Sequence, residues 1–228
     1  AIQGSVVVQG GASGDETFIA TGAGDTLFLR WNAQGDLVGG TQIVGPGATS
    51  PTGLACTGSD GCVLIGSAAG GAVTVAPGTP AERTFPSPAS AESIGFVVQL
   101  DASGTPGWTD WFELQGLSTL EVAGIDRRPD GTVVAAFGLS GTVTLFPRRP
   151  GEQVLSARAL YNLLLVTWFP DGSLMSTLQG DTLSLRPFSL DVDDDGSLLL
   201  GGTGATAIID APPLGESWVL RLGSNYLY

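Results

Sequence analysis

Two consecutive stretches decide how this chain reads: FVVQLDASGTPGWTDWF (residues 96–112) and VAGIDRRPDGTVVAAFGLSGTVTLF (122–146). In both, short runs rich in Val, Leu, Thr and aromatics are cut by turns containing Asp, Pro and Gly. That is the pattern of short strands joined by hairpins. Similar turns stand at SDG (59–61), PDG (170–172) and DDG (194–196), each with the glycine that a tight hairpin needs. No window shows an apolar stripe of helical period with caps, so essentially no long helix is expected.

Working outward, the same order of elements recurs four times. Gly4-Ser5-Val6-Val7-Val8, Gly61-Cys62-Val63-Leu64-Ile65, Gly131-Thr132-Val133-Val134-Ala135 and Gly196-Ser197-Leu198-Leu199-Leu200 are spaced by 57, 70 and 65 residues, a mean of 64. A second run follows each, ending at Trp31, Leu100, Trp168 and Leu222. Then come a turn, an outer run such as LVGGTQIV (37–44), and a run such as TGLAC (52–56) or FSLDV (188–192) leading to the next glycine. Self-similarity at a fixed period signals a repeat architecture. A sheet of four short strands cannot cover its own faces, so neighbouring sheets stack, and radial stacking gives a β-propeller. The expectation is an all-β propeller domain over 1–228, built from four-stranded antiparallel blades. The units are 1–51, 52–120, 121–187 and 188–228, about 3.6 repeats of about 64 residues with open ends.

The residues at 96–112 and 122–146 resemble the bacterial secreted β-propeller repeat, often called the seven-bladed propeller repeat. Its units carry a Phe-Val-x-x-Leu-Asp-x-x-Gly strand and turn and an Ala-x-x-x-Asp-x-x-Gly-x-x-x-Val-x-Gly hairpin. The middle unit here matches best; the first has Asn after Trp31, and the last has LGSN (222–225). The resemblance implies a secreted or surface-attached scaffold and carries over no catalytic residue.

In this register the first unit lacks its inner strand, and the last ends in the short segment Tyr226-Leu227-Tyr228. An open strand edge is a template for another strand. Completion is expected from a partner copy, from further chain, or from head-to-tail assembly.

Composition removes other classes. The nine basic residues are all arginine, against 22 carboxylates, giving a net charge of −13 with no histidine. Imidazole relays, His-ligated zinc and lysine chemistry are thereby excluded. So acidic a chain is repelled by nucleic acid and by anionic lipid. No stretch approaches the length of a membrane span. Localisation is expected to be extracellular or cell-surface, and the protein is expected not to be an enzyme. Its partners are expected to be its own copies or another protein, with carbohydrate as the alternative.

A few residues remain as candidates. Cys56 and Cys62 face each other across a hairpin, as a disulfide or as paired buried thiols. A disulfide would place the chain in an oxidising compartment. Asp191, Asp193 and Asp195 begin a D-x-D-x-D-G calcium loop, yet Gly202 stands where a bidentate glutamate would close it; an acidic solvated turn is the other reading. Calcium is the sole cofactor considered. Trp31 and Trp168 hold the place of Leu100 and Leu222, which argues for packing. Trp108 and Trp111, with Tyr226 and Tyr228, form the candidate contact surface. Glu113, Glu121 and Asp126 are carboxylates that a glycosidase would need close together. Arg127-Arg128 and Arg148-Arg149 are expected to meet carboxylates, and the proline-rich stretches 76–90 and 146–153 read as long loops.

Overall fold

The structure is a computed structural model and describes residues 1–11, 14–57, 61–85, 91–180, 185–204 and 217–222. Tyr226 and Tyr228 lie outside these residues. The described chain is all-β, with seventeen strands and no α-helix, and falls into two compact units.

The first unit comprises Ala1–Thr52 and Cys56–Glu113. Its strands are β1 (Ser5–Val8), β2 (Glu16–Ile19), β3 (Thr26–Trp31), β4 (Leu37–Val44), β5 (Thr49–Thr57), β6 (Gly61–Ala69), β7 (Val73–Val75), β8 (Arg83–Phe85), β9 (Ala91–Leu100) and the start of β10 (Pro106–Arg127). They form a β1–β2 hairpin, a sheet ordered β3-β4-β7-β8, and the run β5-β6-β9-β10. Strand β6 is an almost unbroken apolar run, buried on both faces as a central strand must be. Leu64 joins Phe28, Ile43, Val75, Phe85, Phe96 and Leu100 in one core cluster. Full burial of a phenylalanine such as Phe96 contributes about 1.5–3 kcal/mol. At Gly66 a Cβ would stand 2.6 Å from the Ser50 carbonyl oxygen, so only glycine lets the strands approach there.

The second unit comprises Gly53–Ala55 and Leu114–Tyr228. It contains the rest of β10, then β11 (Val133–Leu145), β12 (Gln153–Ser156), β13 (Asn162–Trp168), β14 (Leu174–Gln179), β15 (Leu185–Val192), β16 (Leu198–Gly204) and β17 (Ser217–Leu222). One sheet runs β10-β11-β13-β14, with β12 also on β11; the other is β15-β16-β17. Val134, Ala136, Leu163, Leu165, Leu198 and Leu200 make its core cluster.

One hairpin tip occurs five times, beginning at Asn32, Asp101, Arg128, Phe169 and Asp193. In each, the first residue's N–H donates to the carbonyl four positions on, and a glycine N–H three positions on donates back to the first carbonyl. Those glycines (35, 104, 131, 172 and 196) have φ between 78° and 86°. This is the three-residue loop with a left-handed glycine that suits the twist of antiparallel strands. An Asp or Asn carboxyl or amide oxygen accepts backbone N–H groups inside every tip.

A second hairpin occurs three times. Val6 pairs with Phe18, Val73 with Phe85, and Val143 with Leu155. Left-handed backbone falls at the same place in its tip: Gly11 (59°), Gly78 (75°) and Arg148 (61°). In the latter two, Glu82 and Glu152 reach back to the N–H of Gly78 and Arg148 at 2.7 and 2.5 Å. The proline-rich stretches thus turn tightly between paired strands and are not long loops, apart from residues 86–90, which lie outside the described set.

Two expectations change. The sheets do not divide into clear four-stranded blades: β7–β8 extends the β3–β4 sheet, and β10 is a continuous 22-residue strand where separate outer and inner strands were expected. And Gly4–Val8 is not the counterpart of the runs starting at Gly61, Gly131 and Gly196. Those runs pair with β9, β13 and β17, whereas β1 pairs with β2 in the side-hairpin register. Gly-Ser-Val-Val-Val fits either role by composition, and only the cross-strand partners separate them.

Candidate functional site: an open strand edge

Strands β3, β9 and β13 are counterparts, because each ends directly before one of the five tips. On one side β9 pairs with β6, from Cys62 opposite Leu100 to Ala69 opposite Ser93. In the same way β13 pairs with β11, from Val133 opposite Trp168 to Leu139 opposite Asn162. Strand β3 is ladder-paired with β4 alone among the described strands and is the edge of its sheet. Among the described residues a single rung stands on its other side, the bridge between Ile2 and Asp25, at the position of the Leu139–Asn162 pair.

Burial follows the pairing. All seven residues of β13 are buried, while in β3 only Thr26 and Phe28 are. Trp168 and Leu100 are 0% exposed, but Trp31 is 47% exposed. Equivalence to leucine therefore identified packing correctly for Trp168 and missed that Trp31 has no covering strand among the described residues.

Cys56 and Cys62 form a disulfide, their Cα atoms 4.1 Å apart across the β5–β6 hairpin. Among the described residues no helix is long and apolar enough to cross a membrane.

In the acidic loop, Arg221 takes the cation's place. Its Nη2 lies 3.0 Å from Asp193 Oδ2 and 2.9 Å from Asp195 Oδ2. Asp195 Oδ1 also accepts from the backbone N–H of Ser197 at 2.8 Å and from its hydroxyl. That hydroxyl, then the backbone bond and Arg221, hold the Asp195 carboxyl below the usual aspartate range. Asp191 lies exposed on β15 opposite Leu199. Among the described residues no group of three carboxylates or thiols is placed to hold a metal ion. The guanidinium already supplies the charge that Asp193 and Asp195 face.

Trp111 packs against the core of the first unit and stacks on Phe85, with centroids 5.5 Å apart. It and Trp108 are half-buried, each with its indole nitrogen out of contact with solvent, so neither presents a flat open ring. Glu121 is taken up by Arg186, at 2.6 and 3.0 Å, and Arg186 lies over the rings of Tyr161 and Phe188. Asp126 accepts the backbone N–H of Val192 at 3.0 Å. These carboxylates hold strands together in the second unit.

The first unit also has a half-open cavity of about 420 Å³. Glu16, Thr41, Thr79, Ser103 and Thr105 supply its polar lining, beside Pro80 and Pro106. The Thr41 hydroxyl donates to the Gly104 carbonyl and fixes one wall. Nothing in the sequence pattern marks these residues, which come from four separate turns and strands.

No protein-family model and no curated protein matches the chain.

Proposed function

We propose that the protein is a non-enzymatic, extracellular repeat scaffold of β-propeller type, working in structural assembly or adhesion by pairing strand edges. The observation that carries this reading is the edge of β3, unpaired among the described strands where both of its counterparts are paired. An edge with free hydrogen-bonding groups recruits another strand, and a heterologous contact of this kind propagates from copy to copy. The disulfide suits an oxidising compartment. The resemblance of residues 96–112 and 122–146 to the secreted propeller repeat fits the recurrence of the tips and hairpins. Sedimentation and negative-stain microscopy of the purified chain test the reading. Concentration-dependent oligomers or filaments are expected, and a compact monomer at all concentrations overturns it.

A second reading is a carbohydrate-binding module. The cavity walled by Thr41, Thr79, Ser103 and Thr105 favours it, since hydroxyl and backbone groups around one carboxylate suit a neutral polyhydroxylated ligand. Glycan-array binding that is lost in Ser103→Trp would support it, and an empty array with and without calcium would remove it.

A further inference from the structure

We propose that the free edge of β3 accepts one donor strand of defined type and register: an uncharged run beginning with glycine and continuing with small and branched apolar residues, antiparallel to β3. This deepens the scaffold reading by naming the edge and the chemistry of its partner, and it rests on that reading.

Three observations define the donor. The runs on the corresponding edges of β9, β13 and β17 all begin at a turn glycine and continue apolar: Gly61-Cys-Val-Leu-Ile, Gly131-Thr-Val-Val-Ala and Gly196-Ser-Leu-Leu-Leu. Strands β6 and β11 are buried on both faces over these runs, so the occupant carries no charge that burial would strand. The bridge between Ile2 and Asp25 fixes the register, because it is the last rung of the ladder seen in full between β11 and β13. Counting from that rung sets a donor residue like Val133 opposite Trp31 and one like Gly138 opposite Thr26. The N–H of Asp25 turns away from β4, to the Ile2 carbonyl at 2.9 Å, so by alternation those of Leu27 and Leu29 also point to the open side. A seated donor covers Trp31 as Val133 covers Trp168.

The test uses the full chain and a synthetic peptide with the sequence of Gly131–Gly138, carrying two glutamates before the paired residues for solubility. Saturable binding is expected, with a blue shift of tryptophan emission that disappears in Trp31→Phe and a higher unfolding midpoint. The same peptide with Ala135 and Phe137 replaced by proline is expected not to bind, and this control leaves the protein untouched. Leu29→Pro, which blocks the open side without removing a bond to β4, is expected to abolish binding. The assignment is overturned by absence of saturable binding, by equal binding of the proline peptide, or by undiminished binding to a folded Leu29→Pro chain. Sedimentation of the same samples separates the two readings. Peptide binding by a chain that never assembles keeps this edge and removes the assembly reading. Assembly that saturating peptide leaves intact removes this edge as the assembling one.

Discussion

Asp25 and Asn162 hold the same place in two different strands. Each is fully buried, stands six residues before a tryptophan, and takes a backbone N–H from four residues earlier: Thr21 to Asp25 Oδ2 at 2.8 Å, Arg158 to Asn162 Oδ1 at 2.6 Å. Asp25 Oδ2 also accepts from Gln42 Nε2 at 2.8 Å, while its Oδ1 has no partner among the described residues. A buried carboxylate thus stands where a neutral amide does the same work. Asp25→Asn is expected to raise stability by about 1–2 kcal/mol, since both accepted bonds survive and the cost of a buried, half-satisfied charge goes. A urea midpoint at or below that of the parent, with unchanged slope, would sink the argument.

Trp31 and Trp168 are expected to respond very differently to truncation. Trp168→Ala empties a fully buried site and is expected to cost about 3–5 kcal/mol. Trp31→Ala, at 47% exposure, is expected to cost less than about 1.5 kcal/mol in the unassembled chain. Chemical denaturation of both variants at low concentration checks this, and equal losses would mean that Trp31 is covered after all.

Arg148 occupies a left-handed position (φ 61°) that its counterparts Gly11 and Gly78 fill without strain. A side chain there costs about 1–2 kcal/mol, partly offset by the extra freedom of glycine in the unfolded chain. Arg148→Gly is expected to raise the thermal midpoint by a few degrees. A lower midpoint would show that the arginine's own contacts outweigh its strain.

Acid should weaken the hairpin tips. The Ser103 hydroxyl, against slight burial and with backbone bonds, lowers the Asp101 carboxyl; that of Asp171 is lowered by Ser173 and that of Asp195 by Ser197. At Asp130, burial pushes upward but the bonds from Thr132 prevail, and the value is again lowered. Carboxyls lowered in the folded state contribute stability that is complete above about pH 5 and drains away as pH falls through their folded values. Loss of the net charge of −13 acts the other way by relieving self-repulsion, so the variant is the discriminating measurement. Asp130→Asn should unfold more readily at pH 6 and show a shallower decline towards pH 3; an identical decline in both proteins would refute the role of the tips.

Much of the all-β fold was legible because its punctuation is local. Gly35, Gly104, Gly131, Gly172 and Gly196 mark turns that need one left-handed residue, and nearby Asp or Asn side chains close them. What escaped was whatever depends on partners distant in sequence. Pro77-Gly-Thr-Pro80 and Pro147-Arg-Arg-Pro150 resemble loops in isolation, yet both turn within three residues of paired strands. The acidic run 191–195 could not reveal that Arg221 crosses to it from β17. Nor could Trp31 announce its exposure, since that depends on which of the described strands lies beside β3.

The five like tips also bear on how the chain acquires its structure. Hairpins closed by short, self-bonded turns form within about 1–10 μs, long before distant segments meet. Such a chain has many equivalent starting points for folding and no single obligatory nucleus. Its slow step is then the mutual packing of preformed hairpins, and the two compact units give that step natural subdivisions. During that interval open edges like that of β3 are most numerous, so the time before packing is when copies are most prone to exchange strands.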